Sequence, residues 1–176
     1  MLSVSINDTD HSIGPADAKV TVVEYGDFEC PNCKQAAPAV QLLLRRFEGR
    51  VRFAYRHYPL VEVHPNAMHA AEAAECAGVQ GKFWQMHDML FDHHPHFSLP
   101  ELRGYAEALQ LDMEIFAKHM GTNAYVARIK EHMKSGRESG VRGTPGFFVN
   151  GKIHDVSFGL HSLLDAVDAA CGMSDR

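Results

Sequence analysis

The sequence predicts an α/β domain that is interrupted by an entirely helical block. Runs rich in β-branched and aromatic residues lie near both ends of the chain, and residues 62–137 between them keep a helical spacing of apolar positions. The chain has 176 residues, of which 45% are hydrophobic, so it can form one packed core or one domain with an insertion. We therefore predict a discontinuous core (14–61 and 140–173), a helical insertion (62–139) and an N-terminal extension (1–13).

The first part of the chain predicts a strand, a helix and a second strand. Residues 20–25 are mostly β-branched, and residues 51–56 alternate between apolar and polar side chains. Between them, the apolar residues of segment 33–47 recur at helical spacing. A strand, helix and strand unit of this length predicts two parallel strands joined by a right-handed crossover.

The middle block predicts four or five helices. Its helical spacing is broken near Gly78, across residues 93–96, near Gln110 and at Gly121. Ser98 and Glu101 have the spacing of a capping box, in which each residue's side chain bonds the backbone of the other. Thr122 is predicted to cap the start of the last helix in this block.

The last part of the chain predicts two antiparallel strands and a final helix. The apolar run 146–149 is followed by Asn150 and Gly151, a dipeptide that strongly indicates a two-residue hairpin turn, and then by a second strand, 152–156. The remaining apolar residues keep helical spacing and predict one amphipathic helix: Leu160, Leu163, Leu164, Val167 and Ala170.

Charge and hydropathy argue against two classes of partner. The chain has 17 Lys and Arg against 22 Asp and Glu, a net charge of −5, and its basic residues are scattered, so we expect no nucleic-acid partner. Its apolar stretches are far shorter than the roughly 18 residues of a membrane-spanning helix, so we expect no membrane insertion. The N-terminal residues do not resemble a secretory signal. We therefore expect a cytoplasmic protein, or a periplasmic or other extracytoplasmic one if a leader has been removed.

The chemistry is predicted from a Cys-Pro-Asn-Cys motif at residues 30–33, where the first strand gives way to the first helix. A helix N-terminus stabilises a thiolate, and such sites lower a cysteine pKa from about 8.5 to roughly 3.5–7.5. The first sulfur is then a nucleophile at neutral pH, and the second can attack a mixed disulfide.

A zinc site is the alternative, but it needs further ligands, and the other cysteines, Cys76 and Cys171, are widely separated. We expect these two to be buried thiols, with a second redox pair as the alternative.

These features resemble the DsbA-like family of thiol:disulfide oxidoreductases in the thioredoxin superfamily. The resemblance covers residues 14–171 and rests on a strand, the segment Asp-Phe-Glu-Cys-Pro-Asn-Cys, a helix and a distant Gly-Thr-Pro. It implies a thioredoxin-like fold in which the helical insertion lies between a β-α-β half and a β-β-α half. It also implies that Cys30 is the attacking cysteine and Cys33 its buried partner.

The resemblance further implies roles for Glu24, Thr144 and Pro145. Thr144 and Pro145 would form a cis-proline turn beside the dithiol, leaving the Thr144 backbone free to pair with an extended substrate peptide. An ordinary trans turn is the alternative. Glu24 would be a buried acid behind the dithiol, and burial would raise its pKa and suit it to move the proton of the second cysteine. A partly exposed carboxylate is the alternative.

Three more residues are candidates for substrate binding: Phe28, Pro31 and Asn32. Phe28 is expected to provide exposed apolar surface near the dithiol. Asn32 stands where the family's best-known bacterial oxidant has histidine, so the thiolate lacks a cationic neighbour and the redox potential should shift toward the reducing side. We still predict a Cys30 thiolate at pH 7 and a potential between those of thioredoxin and the strong oxidant. His57 is expected at the surface.

We therefore expect a thiol:disulfide oxidoreductase that acts on protein or peptide thiols and disulfides and is reset by a separate redox partner. No organic cofactor or metal is expected. Two alternatives remain: a cytosolic disulfide reductase or redox sensor, and a non-catalytic or small-molecule-binding member of the superfamily. The histidines of segment 93–96 resemble a metal site, but a polar loop between two helices explains them more simply.

Overall fold

The computed structural model describes residues 1–174, which contain five strands and seven helices. The strands are β1 (His11–Ile13), β2 (Val20–Gly26), β3 (Val51–His57), β4 (Gly146–Val149) and β5 (Lys152–His154). The helices are α1 (Pro31–Arg46), α2 (Ala67–Gly78), α3 (Phe83–Asp92), α4 (Leu99–Ala108), α5 (Met113–Gly121), α6 (Val126–Glu138) and α7 (His161–Ser174). None of these helices has the length and apolar character needed to cross a membrane.

The strands form one sheet in the order β1-β3-β2-β4-β5. β4 pairs antiparallel with both β2 and β5, and β1 pairs antiparallel with β3. β2 lies in the middle of the sheet and six of its seven residues are buried, which explains its run of β-branched residues. β1 was not predicted, because three half-buried residues are too few to show a periodic pattern.

The predicted hairpin between β4 and β5 is confirmed. Asn150 and Gly151 have φ angles of 48° and 75°, both in the left-handed region that a type I′ turn requires. The backbone N–H of Asn150 donates to the carbonyl of Thr21 at 2.9 Å, and its side-chain oxygen accepts the Thr21 N–H at 2.8 Å. The turn is thereby joined to β2.

The chain forms two compact units. The first contains nearly all of the sheet and is formed by Met1–Gly26, Gln35–Arg56 and the residues from Lys134 onward. The second contains helices α2 to α5 and is formed by Asp27–Lys34 and His57–Met133. The Cys-Pro-Asn-Cys segment therefore belongs to the second unit, together with most of the helical block.

The ends of the helices in the second unit agree with the predicted breaks, with one exception. The capping box of α4 is present: the Ser98 hydroxyl accepts the Glu101 N–H at 3.4 Å, and the Glu101 carboxylate accepts the Ser98 N–H at 2.8 Å. Thr122 does not cap α6. Its hydroxyl donates to the carbonyl of Lys118 at 2.9 Å and so ends α5, while α6 begins only at Val126.

The first unit contains a buried ion pair that connects the N-terminal segment to β3. The guanidinium of Arg56, with 2% of its side chain exposed, bonds both carboxylate oxygens of Asp10 at 2.8 Å. It also donates to the carbonyls of Val4 and Ser5 and to the hydroxyl of Tyr25. Burial alone would lower the pKa of Arg56, but the bonds to Asp10 and Tyr25 outweigh burial and raise it.

Candidate active site

The two cysteines of the motif lie on the first turn of α1. The Lys34 N–H donates to the carbonyl of Cys30 at 3.1 Å, which is the first bond of the helix and makes Cys30 its N-terminal cap. Pro31 begins the helix, because its ring fixes φ at a helical value and it has no N–H that would lack a helical partner. Cys33 follows three residues after Cys30, so the two side chains lie on the same face of the turn.

The two sulfur-bearing side chains differ in exposure. Both residues are thiols in the structure; Cys30 is 5% exposed and Cys33 is 0% exposed. Pro31 and Asn32 between them are exposed. Both cysteines are therefore buried, Cys33 completely, and the residues directly after Cys30 are exposed. Cys30 also lies at the positive end of the α1 dipole, where a thiolate is favoured.

A buried carboxylate, Asp27, organises the loop that leads into α1. One of its side-chain oxygens accepts the Glu29 N–H at 2.8 Å. The other accepts the Leu60 N–H at 2.9 Å and lies 2.7 Å from Nδ1 of His64. The sequence by itself indicates no role for Asp27, although this residue lies within the segment that carries the family resemblance. Two of its three side-chain partners lie more than 30 residues along the chain.

Other contacts join the same loop to residues in and next to the helices of the second unit. The Glu29 carboxylate accepts the backbone N–H of Asn66 at 2.7 Å, and the Glu29 carbonyl lies 2.9 Å from Nε2 of His94. The Lys34 ammonium donates to the carbonyl of Phe91. The segment 27–34 is thus fixed by long-range hydrogen bonds on both sides of the cysteine motif.

Two residues are placed differently from the sequence-based expectation. Phe28 is not exposed: it is 1% exposed and its ring packs against Phe91, His87 and His57, with centroids 5.0, 5.7 and 6.0 Å away. His57 is not at the surface either, because it is 0% exposed and its Nε2 lies 2.8 Å from the carboxylate of Glu75. Phe28 therefore supports the loop from within and does not provide exposed substrate-binding surface.

The remaining predicted site residues belong to the first unit. Glu24 is 3% exposed and lies opposite Phe147 in the ladder between β2 and β4, so its burial agrees with the prediction. The bond between Thr144 and Pro145 is cis, as predicted, and Thr144 is 8% exposed. The roles of Glu24, Thr144 and Pro145 at the dithiol stay predictions.

The histidines before α4 bond to separate protein groups. Nδ1 of His93 lies 2.9 Å from the carbonyl of Met89, while His94 bonds the loop before α1 and Nδ1 of His96 lies 3.6 Å from the Glu101 carboxylate. Within residues 1–174 no three His, Cys, Asp or Glu side chains are grouped as metal ligands would be. The contacts of these histidines are those of a polar connection between two helices.

Cys76, on α2, should be chemically inert in the native protein. It is 0% exposed, and burial together with the negative charges of Glu72 and Glu75 raises the pKa of its thiol to about 12. Since the thiolate is the reactive form, an alkylating reagent at pH 8 should leave Cys76 unmodified until the protein is denatured. Peptide mapping by mass spectrometry after alkylation measures this, and rapid modification of the native protein would contradict it.

Glu72, one turn before Cys76, should make stability depend on pH. Burial raises the pKa of Glu72, and the nearby His69 offsets this only in part. A carboxyl with a pKa above its unfolded value costs stability once it ionises, so Glu72→Gln should stabilise the protein at pH 8. The gain should shrink as pH falls through the raised pKa and vanish below about pH 4, the range of an unfolded glutamate. Urea unfolding between pH 4 and 8 tests this, and a gain that is larger at low pH would contradict it.

Comparison with known proteins agrees with this fold. A family model described as Thioredoxin matches residues 6–169. A thioredoxin-like oxidoreductase from Silicibacter pomeroyi DSS-3 superposes with a TM-score of 0.82 and 30% identity over 93% of each chain. BdbD from Bacillus subtilis also has a TM-score of 0.82 over 93% of each chain, and at 22% identity it shows similarity of fold alone.

Sequence relatives are found within longer proteins. The chain is 50% identical over 163 residues to the Na⁺/H⁺ antiporter NhaA 1 of Salinispora arenicola, a match that covers 93% of this chain and 25% of the relative. It is 47% identical to NhaA 3 of Salinispora tropica, with the same coverage. The chain spans about a quarter of the length of these curated relatives, whose name describes the longer proteins. Because the Thioredoxin model matches nearly the whole chain, the protein belongs to the thioredoxin family.

Proposed function

We propose that the protein exchanges its Cys30 and Cys33 thiols with disulfides of protein or peptide substrates. At the level of the family, the fold supports thiol:disulfide oxidoreductase chemistry. The observation that carries the proposal for this chain is the first turn of α1, where Cys30, 5% exposed at the helix N-terminus, lies one turn from the fully buried Cys33. This is the arrangement of an attacking and a resolving cysteine.

The exchange takes two steps. The Cys30 thiolate attacks one sulfur of a substrate disulfide, the substrate bond breaks, and the leaving thiolate takes up a proton. Cys33 then loses its proton and attacks the Cys30 sulfur, so that an intramolecular disulfide forms and the second substrate sulfur leaves and is protonated. The substrate gains two electrons and the protein is oxidised by two. The same steps run backwards when the protein oxidises a dithiol.

We also propose roles for five other predicted site residues. Glu24 is a buried carboxyl, and we infer that it accepts the proton that Cys33 releases. Pro31 and Asn32 are exposed beside Cys30 and are proposed to contact the substrate. The backbone at the cis bond between Thr144 and Pro145 is proposed to pair with an extended substrate segment.

Asn32 favours the reducing direction, because no cationic side chain at this position stabilises the reduced thiolate form. In a reducing cytoplasm, the compartment we propose, the protein would act as a disulfide reductase or redox sensor. In an oxidising compartment it would act as an oxidase. A separate redox partner would return it to the starting state in either case.

Two substrates test the proposal directly. Reduction of insulin disulfides in the presence of a small thiol, or reoxidation of reduced ribonuclease, should be faster with the protein than without it. The variant Cys30→Ser should catalyse neither reaction. Activity that survives this change would favour the alternative of a non-catalytic or small-molecule-binding member of the superfamily.

A further inference from the structure

Asp27 has a fully buried side chain that is held by three N–H groups. Its carboxylate has no exposed surface and accepts from the backbone of Glu29 and Leu60 and from the ring of His64, at 2.8, 2.9 and 2.7 Å. Because a carboxylate can only accept, Nδ1 of His64 carries the hydrogen in this pair. Glu29 lies in the loop before α1, and the other two donors follow β3, so these bonds join two separate segments of the second unit.

The backbone of the same residue contacts both cysteines. The Asp27 carbonyl accepts the N–H of Cys30 at 3.1 Å, and the Asp27 N–H points at the sulfur of Cys33 from 3.5 Å, within the range of a hydrogen bond to sulfur. The three side-chain bonds restrain the backbone that carries this N–H. The carboxylate thus determines where a hydrogen-bond donor lies relative to the buried sulfur.

We propose that Asp27, anchored by His64, is a positioning residue that keeps its own backbone N–H within hydrogen-bond distance of the Cys33 sulfur. The inference rests on the proposed function, in which Cys33 gives up its proton, attacks the Cys30 sulfur and releases the substrate sulfur with the bonding electron pair. An N–H donor stabilises a sulfur anion more than a neutral thiol. Asp27 acts through its backbone and exchanges no atom with the substrate.

Asp27→Asn tests this role with little change of shape. Asparagine has one acceptor oxygen in place of two, so it cannot hold all three donors, and the backbone N–H should lose its fixed position. The resolution step is the attack by Cys33 on a mixed disulfide between Cys30 and glutathione. Its rate should fall about tenfold, because this is the change expected when one hydrogen bond to a charged group is lost. Acid quenching and intact mass measurement give this rate.

A second readout separates positioning from general stability. In a Cys30→Ser background, the ultraviolet absorbance of the thiolate, followed against pH, reports how much of Cys33 is ionised. Asp27→Asn should move this profile to higher pH. His64→Ala should shift both readouts in the same direction by a smaller amount, because two of the three bonds to Asp27 remain.

The matched control is a second aspartate and histidine pair in the same unit. Oδ1 of Asp88 lies 2.9 Å from Nδ1 of His87, and Asp88→Asn should leave the resolution rate and the Cys33 profile unchanged. A folded Asp27→Asn protein with an unchanged rate and profile would overturn the inference. If Asp27→Asn does not fold, His64→Ala replaces it as the test, since the His64 side chain is partly exposed and its loss should be tolerated. An unchanged resolution rate and an unchanged Cys33 profile in His64→Ala would then overturn the inference.

Failure of the proposed function has a different signature. If the Cys33→Ser protein, which cannot resolve the intermediate, forms no mixed disulfide with oxidised glutathione, Cys30 is not an attacking cysteine, and the inference about Asp27 fails with it. If the unmodified protein forms and resolves the mixed disulfide while Asp27→Asn behaves identically, the proposed function stands and only the inference about Asp27 fails.

Discussion

Replacing Cys30 by serine should abolish thiol–disulfide exchange, with a loss of at least about a thousandfold, as expected when an enzyme loses its nucleophile. The physical reason is that Cys30 is the sulfur at the helix N-terminus with exposed neighbours, whereas Cys33 is fully buried. Insulin reduction and ribonuclease reoxidation measure the loss. Cys76→Ser is the matched control, because it removes another buried thiol of the second unit and should keep the activity.

Replacing Cys33 should have a different result. Cys33→Ser leaves the first attack intact and removes the second, so a mixed disulfide between Cys30 and the substrate should accumulate. Intact mass measurement after mixing with oxidised glutathione detects it as one added glutathione. A Cys33→Ser protein that turns over insulin at the normal rate, or a Cys30→Ser protein that traps substrate equally well, would contradict the assignment of attacking and resolving cysteines.

The second large effect concerns stability. Arg56→Ala should destabilise the protein by about 3–5 kcal/mol, because it leaves the buried Asp10 carboxylate without its partner. It also removes the bonds that the guanidinium donates to two N-terminal carbonyls and to Tyr25. Urea unfolding at pH 7 measures the loss as a lower midpoint, and a variant that is unfolded without urea meets the expectation as well.

An exposed ion pair is the control for this prediction. Arg46 lies 3.5 Å from Asp168, and both side chains are more than half exposed. Such pairs contribute about 0–1 kcal/mol, so Arg46→Ala should scarcely move the unfolding midpoint. Equal effects of Arg46→Ala and Arg56→Ala on the unfolding midpoint would show that burial does not determine how much the Arg56 pair stabilises the fold.

Features of the fold that depend on local sequence could be predicted. The turn at Asn150 and Gly151 requires positive φ angles, and the capping box of Ser98 and Glu101 requires only a spacing of three, so both are visible in the sequence. Thr122 shows the limit of this reasoning. A threonine between two helices can bond the helix before it or the one after it, and here it bonds the helix before it.

The candidate site could be predicted only in part, for a related reason. The cysteines were found because their chemistry follows from two residues and a helix start. The burial of Phe28 and His57 was missed because it depends on residues from several helices, among them Phe91 and Glu75. The role inferred for Asp27 depends on donors that lie 33 and 37 residues along the chain. No local pattern marks such contacts.

Redox titration with glutathione tests the central claim most directly. The protein should pass from dithiol to disulfide in one two-electron step as the ratio of oxidised to reduced glutathione rises, and peptide mapping should locate the bond between Cys30 and Cys33. The midpoint gives the potential, and we expect it between those of thioredoxin and the strong oxidant of the family. Absence of a bond between these two cysteines at every ratio, with the protein folded, would contradict the proposed function.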